Sequence, residues 1–249
     1  MAPCLDLQIE PALVEESVFR ELVHWEESGR VAQPRRYHAV CAHVLHTAPP
    51  GAERDRRLLE VNERWFEQLG LRDQLVERVR ELPPISGQVQ AVFAQRARSA
   101  REEGADLVGA PGGERLPTLV IRVRPESFGR TDELRTTLRR DLAYVADMLD
   151  PTFDYAPELP ADLVGPVRGL VQDRYGTLWA LSIAARLHRR FGEGGLPDPA
   201  ALLRRVFPAA DPVAARELLG AVTGPVRPTH VDLLRFARAA VPAAAEALL

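Results

Sequence analysis

The chain has 249 residues, enough to bury a sizeable core, and its composition of 46% hydrophobic and 27% charged residues is ordinary for a globular protein. Its formal net charge of -3 counts against nucleic acid as a partner, and no run of about 18 apolar residues predicts a membrane span. The N-terminus, MAPCLDLQIEPALVEES, lacks the basic and apolar regions of a signal peptide. With Cys4 and Cys41 as its only cysteines, the sequence predicts a reduced, cytoplasmic protein.

The N-terminal part, residues 1–104, is predicted to be helical because apolar residues recur every three or four positions. Helices are predicted over residues 14–27, 52–69, 73–81 and 89–103. Residues 37–47 fit a helix or a strand equally well.

The middle part, residues 105–190, carries the predicted strands. Residues 105–109 and 119–123 are short β-like runs separated by a glycine pair, which predicts a hairpin or two neighbouring strands. An amphipathic helix is predicted over residues 131–150, directly after the second strand, and a longer helix over residues 171–190.

The C-terminal part, residues 191–249, is predicted to be a series of short helices. Asp198 and Asp211 each precede a proline, as a capping acid does at a helix start, and Thr229 with Asp232 resembles a capping box. Together the three parts predict one α+β domain across the whole chain. It is mostly helical, with a small β-sheet beside a central helix.

The helix over residues 131–150 follows a strand, which is the place where a zinc peptidase carries a His-Glu-x-x-His motif. That motif sets two neutral imidazoles one turn apart on one Zn²⁺, and its glutamate activates the metal-bound water. The corresponding positions here are Arg140, Asp141 and Tyr144. A guanidinium has no lone pair for a metal, and a phenol with a pKa of about 10 is a poor ligand at neutral pH. The pattern therefore predicts the layout of such a site without its ligands.

The third ligand of such a site would come from a later element, and the helix over residues 171–190 is the candidate. Its middle offers no good ligand, and Asp173 and His188 lie near its two ends. These two residues are therefore doubtful metal ligands.

A resemblance supports the same interpretation. The strand-then-helix layout, the phrase ADMLDP at residues 146–151 and ERWFEQLGL at residues 63–71 resemble a family of bacterial zincin-like proteins, from residue 58 to about residue 190. In that family an intact His-Glu-x-x-His precedes an equivalent Asp-Met-Leu-Asp. The resemblance implies a zincin-like fold, with zinc-dependent peptide hydrolysis in the relatives that keep the motif. The departures at both histidines and at the glutamate imply that zinc and any other cofactor are absent here.

Two acids near the end of this helix, Asp147 and Asp150, form a further candidate group with Asp154. Acids at a helix C-terminus oppose the helix dipole, so compensation by neighbouring arginines or by a metal is expected. The preferred interpretation of Asp150 and the following Pro151 is that they fix the direction in which the chain leaves the helix.

Residues 38–46 hold the other candidate metal ligands, Cys41, His43 and His46. On a helix His43 and His46 could share an ion, whereas on a strand Cys41 and His43 would share a face. Neither spacing matches a common zinc signature, so surface histidines are the preferred interpretation.

The sequence therefore predicts a non-catalytic, zincin-like protein that acts by binding an unidentified protein or peptide partner, or as a structural part. One alternative is an active metal-dependent hydrolase, with Asp141 as acid or base and a metal held within residues 38–46. A second alternative is a helical interaction module unrelated to zincins.

Overall fold

The computed structural model describes residues 7–82, 85–109, 116–192 and 198–239. The contacts between residues divide the chain into two compact units, residues 1–145 and 146–249. The division falls inside one continuous helix, Thr131–Leu149. That the whole chain forms one folding domain stays a prediction.

A mixed β-sheet of four strands forms in the described part of the N-terminal unit. In spatial order its strands are β1 (Leu7–Ile9), β2 (Ala91–Arg96), β4 (Thr118–Val123) and β3 (Gly104–Val108). β1, β2 and β4 run parallel to one another, and β3 pairs with β4 in the antiparallel sense. The three parallel strands therefore end side by side, at what we call the carboxyl end of the sheet.

Burial explains why β4 lies inside the sheet. Leu119, Val120, Ile121 and Val123 are all buried, and a near-continuous apolar run is typical of a strand covered on both faces. The antiparallel pairing of β3 with β4 confirms the neighbouring strands predicted from the sequence. The glycine pair between them lies outside the described residues.

The helix predicted over residues 89–103 is wrong, because the structure has β2 followed by a turn there. Alanine, glutamine and arginine favour a helix locally, but that preference is weak. β2 pairs with β1 on one side and along its whole length with β4 on the other, and its Val92 and Ala94 are fully buried. Pairing and burial together outweigh the local preference.

The N-terminal unit contains four helices and most of a fifth among its described residues. They are α1 (Pro11–Glu27), α2 (Ala32–Thr47), α3 (Ala52–Gln68), α4 (Leu71–Arg80) and α5 (Thr131–Leu149). Residues 37–47, which fitted a helix or a strand, are thus helical. α5 buries the predicted apolar stripe, Leu134, Leu138, Leu142, Val145 and Leu149.

The C-terminal unit contains the end of α5 and four further helices in its described residues. They are α6 (Gly165–Phe191), α7 (Pro199–Val206), α8 (Pro212–Thr223) and α9 (His230–Arg238), and α6 contacts each of the other three. Asp198 and Asp211 cap α7 and α8, and Thr229 with Asp232 forms the predicted capping box of α9. Among the described residues no helix combines the length and apolar character that a membrane span requires.

These elements confirm the predicted class, a mostly helical α+β fold with a small sheet. The sheet is larger than the sequence predicted, because β1 and β2 add two parallel strands to the hairpin.

The interior of β4 gives a test of the sheet. Ile121 is fully buried, so Ile121→Ala should reduce the free energy of unfolding by about 2–5 kcal/mol in a denaturant titration. Val108 is 59% exposed, and Val108→Ala should change stability by less than about 0.5 kcal/mol. Equal losses for the two variants would contradict the placement of β3 at the open edge of the sheet.

Candidate functional site

The motif positions of α5 form an ion pair. The Arg140 side chain is 57% exposed, and its Nε donates a hydrogen bond to Asp141 Oδ1 at 2.8 Å. Tyr144, one turn after Arg140, is half-buried. The helix thus holds two of the three diagnostic side chains against each other.

Asp141 lies close to a second carboxylate, Glu103, which immediately precedes β3. Burial raises the pKa of Asp141 and outweighs the opposing Arg140 hydrogen bond, and the Glu103 charge adds to the rise. Burial also raises the pKa of Glu103, but hydrogen bonds from Ser127 Oγ and from the backbone and Nε of Arg124 outweigh it, so this pKa is lowered. Neighbouring carboxyls with pKa values shifted apart are a pattern of acid–base pairs.

The second oxygen of Asp141 lies near Gly104. Oδ2 is buried and has no hydrogen-bond partner among the described residues. A side chain built on Gly104, whose φ is +153°, would contact this oxygen at 3.5 Å. The carboxyl therefore lies against the first residue of β3, and Gly104 carries no side chain to interfere.

The predicted metal ligands of α2 do not converge. Cys41 is half-buried, and burial raises the pKa of its thiol. His43 and His46 are exposed, and His38 Nε2 lies 3.5 Å from a carboxylate oxygen of Glu26. Within the described ranges, no three His, Cys, Asp or Glu side chains are grouped so as to hold a metal ion. Asp173 and His188 are exposed positions of α6.

The C-terminal unit contains a buried charge network around Asp147, which is 1% exposed. Its carboxylate accepts hydrogen bonds from Trp179 Nε1 at 2.8 Å, Arg186 Nη1 at 2.8 Å and Arg227 Nη1 at 3.1 Å. Arginine thus supplies the compensation expected for this acid. Asp150 accepts from the Thr152 backbone and hydroxyl, both at 2.8 Å, and also from Arg227, so it orders the turn after α5.

A cluster of aromatic rings surrounds His230 at the start of α9, and nothing in the sequence predicted it. The Tyr175 hydroxyl and His230 Nδ1 are 2.8 Å apart, and the ring of Tyr155 lies edge-on to His230. Phe153 stacks on Trp179 with centroids 5.3 Å apart. The residues come from distant parts of the sequence, so local periodicity gives no signal for them.

Comparison of the chain with protein-family models, with curated proteins and with solved structures yields no match. The zincin-like family therefore stays a prediction.

Removal of the Asp147 charge should destabilise the protein strongly. Asp147→Asn leaves two guanidiniums without their buried counter-ion, and we expect a loss of about 3–5 kcal/mol in denaturant unfolding. The matched control is Asp162→Asn, since Asp162 is 66% exposed and pairs with Arg238. That control should cost less than about 1 kcal/mol. A small effect of Asp147→Asn would contradict a structural role for the network.

His230 should make stability depend on pH. Burial lowers its pKa below the ordinary value of 6.5, partly opposed by the Asp154 charge. Below about pH 6.5 the unfolded chain therefore binds a proton at His230 more readily than the folded chain does. The stability that neutral His230 contributes is complete above about pH 6.5 and is lost as the pH falls. Between about pH 8 and about pH 5, the free energy of unfolding should fall less for His230→Gln than for the native protein. The exposed-residue control His188→Gln should keep the native loss, and the same pH profile in all three proteins would refute the assignment.

Proposed function

We propose that this chain is a non-catalytic, zincin-like protein that acts by binding an extended peptide segment of a partner. The observation that carries the first half of the proposal is the hydrogen-bonded pair of Arg140 and Asp141 on α5. A general base of a metallopeptidase must present a free carboxylate oxygen to a metal-bound water. Arg140 occupies one oxygen of Asp141, and the other is buried beside Gly104, without a hydrogen-bond partner among the described residues.

The second half of the proposal rests on β3, an edge strand of the sheet. The carbonyls of Pro117 and Val123 accept hydrogen bonds from the β2 side of β4. Backbone groups alternate in direction along a strand, so every second residue between these two directs its N–H and carbonyl toward β3. By the same alternation and the β3–β4 register, Ala105 and Leu107 direct their backbone groups away from β4. A peptide added alongside β3 would bond to these groups, as in β-strand addition.

Charge favours a basic peptide. Glu102 and Asp106 are exposed beside this edge, and Asp106 Oδ1 accepts from the Leu107 N–H at 2.8 Å. The Asp106 carboxylate thus covers the outward N–H of Leu107. A partner peptide whose own cation pairs with Asp106 would free this N–H to bond with the peptide. The Ala105 N–H has no such cover among the described residues.

A second candidate function is hydrolysis by the acid–base pair of Glu103 and Asp141. The opposite pKa shifts of the two carboxyls favour it. The buried position of Asp141 Oδ2 weighs against it, because a reacting group would have to reach that oxygen.

One labelled peptide tests both candidates. The probe is a decapeptide of alternating lysine and valine with a fluorophore and a quencher, so that polarisation reports binding and fluorescence reports cleavage. We expect saturable binding without cleavage, with or without added zinc. Ala105→Pro removes one outward N–H and should weaken binding about fivefold, the value of one hydrogen bond.

The controls separate the outcomes. Val108→Thr keeps every backbone donor of β3 and should bind like the native protein. Cleavage that disappears in Asp141→Asn would establish the hydrolase and overturn the non-catalytic proposal. Native-like binding by Ala105→Pro would exclude the edge of β3 as the peptide site.

A further inference from the structure

A polar pocket lies at the carboxyl end of the sheet, separate from the α5 motif positions. Its volume is about 360 Å³. The lining comes from three places: Glu16 and Arg20 on α1, residues 96–99 at the end of β2 and in the turn after it, and residues 124–126 after β4. Ligands of sheets with parallel strands generally bind at this end.

Strand pairing positions the pocket. The Ala97 N–H donates to the Val123 carbonyl at 3.0 Å, which continues the β2–β4 pairing one residue past β2. The Arg96 N–H donates to Glu10 Oε2 at 2.7 Å, and the Arg98 N–H to Glu102 Oε2 at 2.9 Å. Three hydrogen bonds from backbone N–H groups therefore order the segment from which Arg96 and Arg98 extend.

Carboxylates bind three of the arginine side chains, Arg20, Arg96 and Arg124, each through only some of its guanidinium N–H groups. Glu16 accepts from Arg20 Nη2 at 2.8 Å and from Arg96 Nη1 at 2.6 Å, and the pKa of Glu16 is lowered, chiefly by the Arg20 bond. Arg124 Nε donates to Glu103 at 2.8 Å. A guanidinium has five N–H groups, so each arginine keeps donors for a ligand while its position is fixed.

Arg98 differs from the other three. Its side chain is exposed, and among the described residues its guanidinium has no ion-pair partner. Ser99 beside it adds a hydroxyl to the lining. Glu16, Glu126 and Glu103 pair with the guanidiniums of the other three arginines. Glu102 bonds only to the backbone N–H of Arg98, so among the described residues the Arg98 guanidinium is the one in the lining without a paired carboxylate.

We propose that this pocket binds the phosphate group of a small phosphate ester. A phosphate presents several oxygens in different directions, which matches guanidiniums that approach from α1, from the β2 turn and from the end of β4. A planar carboxylate would engage a single arginine fork. A water molecule accounts for about 30 Å³ of liquid, so the pocket has room for an organic group as well as the phosphate. The near balance of charge disfavours a polyphosphate or a nucleic acid.

Isothermal titration with inorganic phosphate and with phenyl phosphate, at low ionic strength, tests the proposal. We expect both probes to bind at one site, with phenyl phosphate tighter and acetate at least about tenfold weaker than phosphate. Arg98→Glu should reduce phosphate affinity by at least about tenfold, because it removes charged hydrogen bonds and adds a repulsive charge.

Arg101→Glu is the matched control. Arg101 is exposed in the same turn but does not line the pocket, so its reversal changes the net charge equally and should change affinity less than about threefold. Ser99→Ala should weaken binding without altering net charge. Equal losses of affinity for Arg98→Glu and Arg101→Glu would show that phosphate responds to net charge and not to this pocket, which would overturn the proposal. Absence of phosphate binding to the native protein would overturn it as well. The peptide proposal rests on the outward backbone groups of β3, so the outcome of the phosphate titration leaves it untouched.

Discussion

Parallel pairing between β2 and β4 is the constraint on which the N-terminal unit depends. Its register sets Val92 beside Leu119 and Ala94 beside Ile121, and all four side chains are fully buried. Because both strands run in one direction, the turn after β2 and the start of the segment that leads to α5 emerge at one end of the sheet. The polar pocket lies at this end, and so does Glu103, because the antiparallel strand β3 begins there.

The sequence predicted the elements whose signal is local and missed those whose stability comes from distant partners. β4 and α5 carry their own patterns, an apolar run and a stripe from Leu134 to Leu149, and both were predicted. β2 has helix-favouring residues, and its strand state depends on partners such as Leu7 and Leu119, which lie far away in the sequence. α2 was ambiguous because its buried residues are few, Pro34 and Val44 in the described helix.

The same distinction applies to the candidate sites. Arg140 and Asp141 are adjacent, so the absence of zinc ligands at these positions was visible in the sequence. The need to compensate Asp147 was also visible, since an acid in the last turn of a helix opposes the dipole. The identity of the compensating groups was not, because Trp179 and Arg227 are 32 and 80 residues away along the chain. The polar pocket depends on three segments that come together in the fold, and no single segment carries its pattern.

Two aspartates of α5, six residues apart, show where stability ceases to explain the sequence. Asp147 receives hydrogen bonds from two arginines and a tryptophan, so its burial is compensated. Asp141 has a single partner, Arg140, one buried oxygen without a partner among the described residues, and a raised pKa because burial disfavours its charge. A buried acid with incomplete compensation costs stability, and such local inconsistencies are expected where a residue serves function or retains an inherited role. Folding accounts for Asp147, whereas the contacts of Asp141 leave its burial incompletely compensated beside Gly104, the first residue of the edge strand β3.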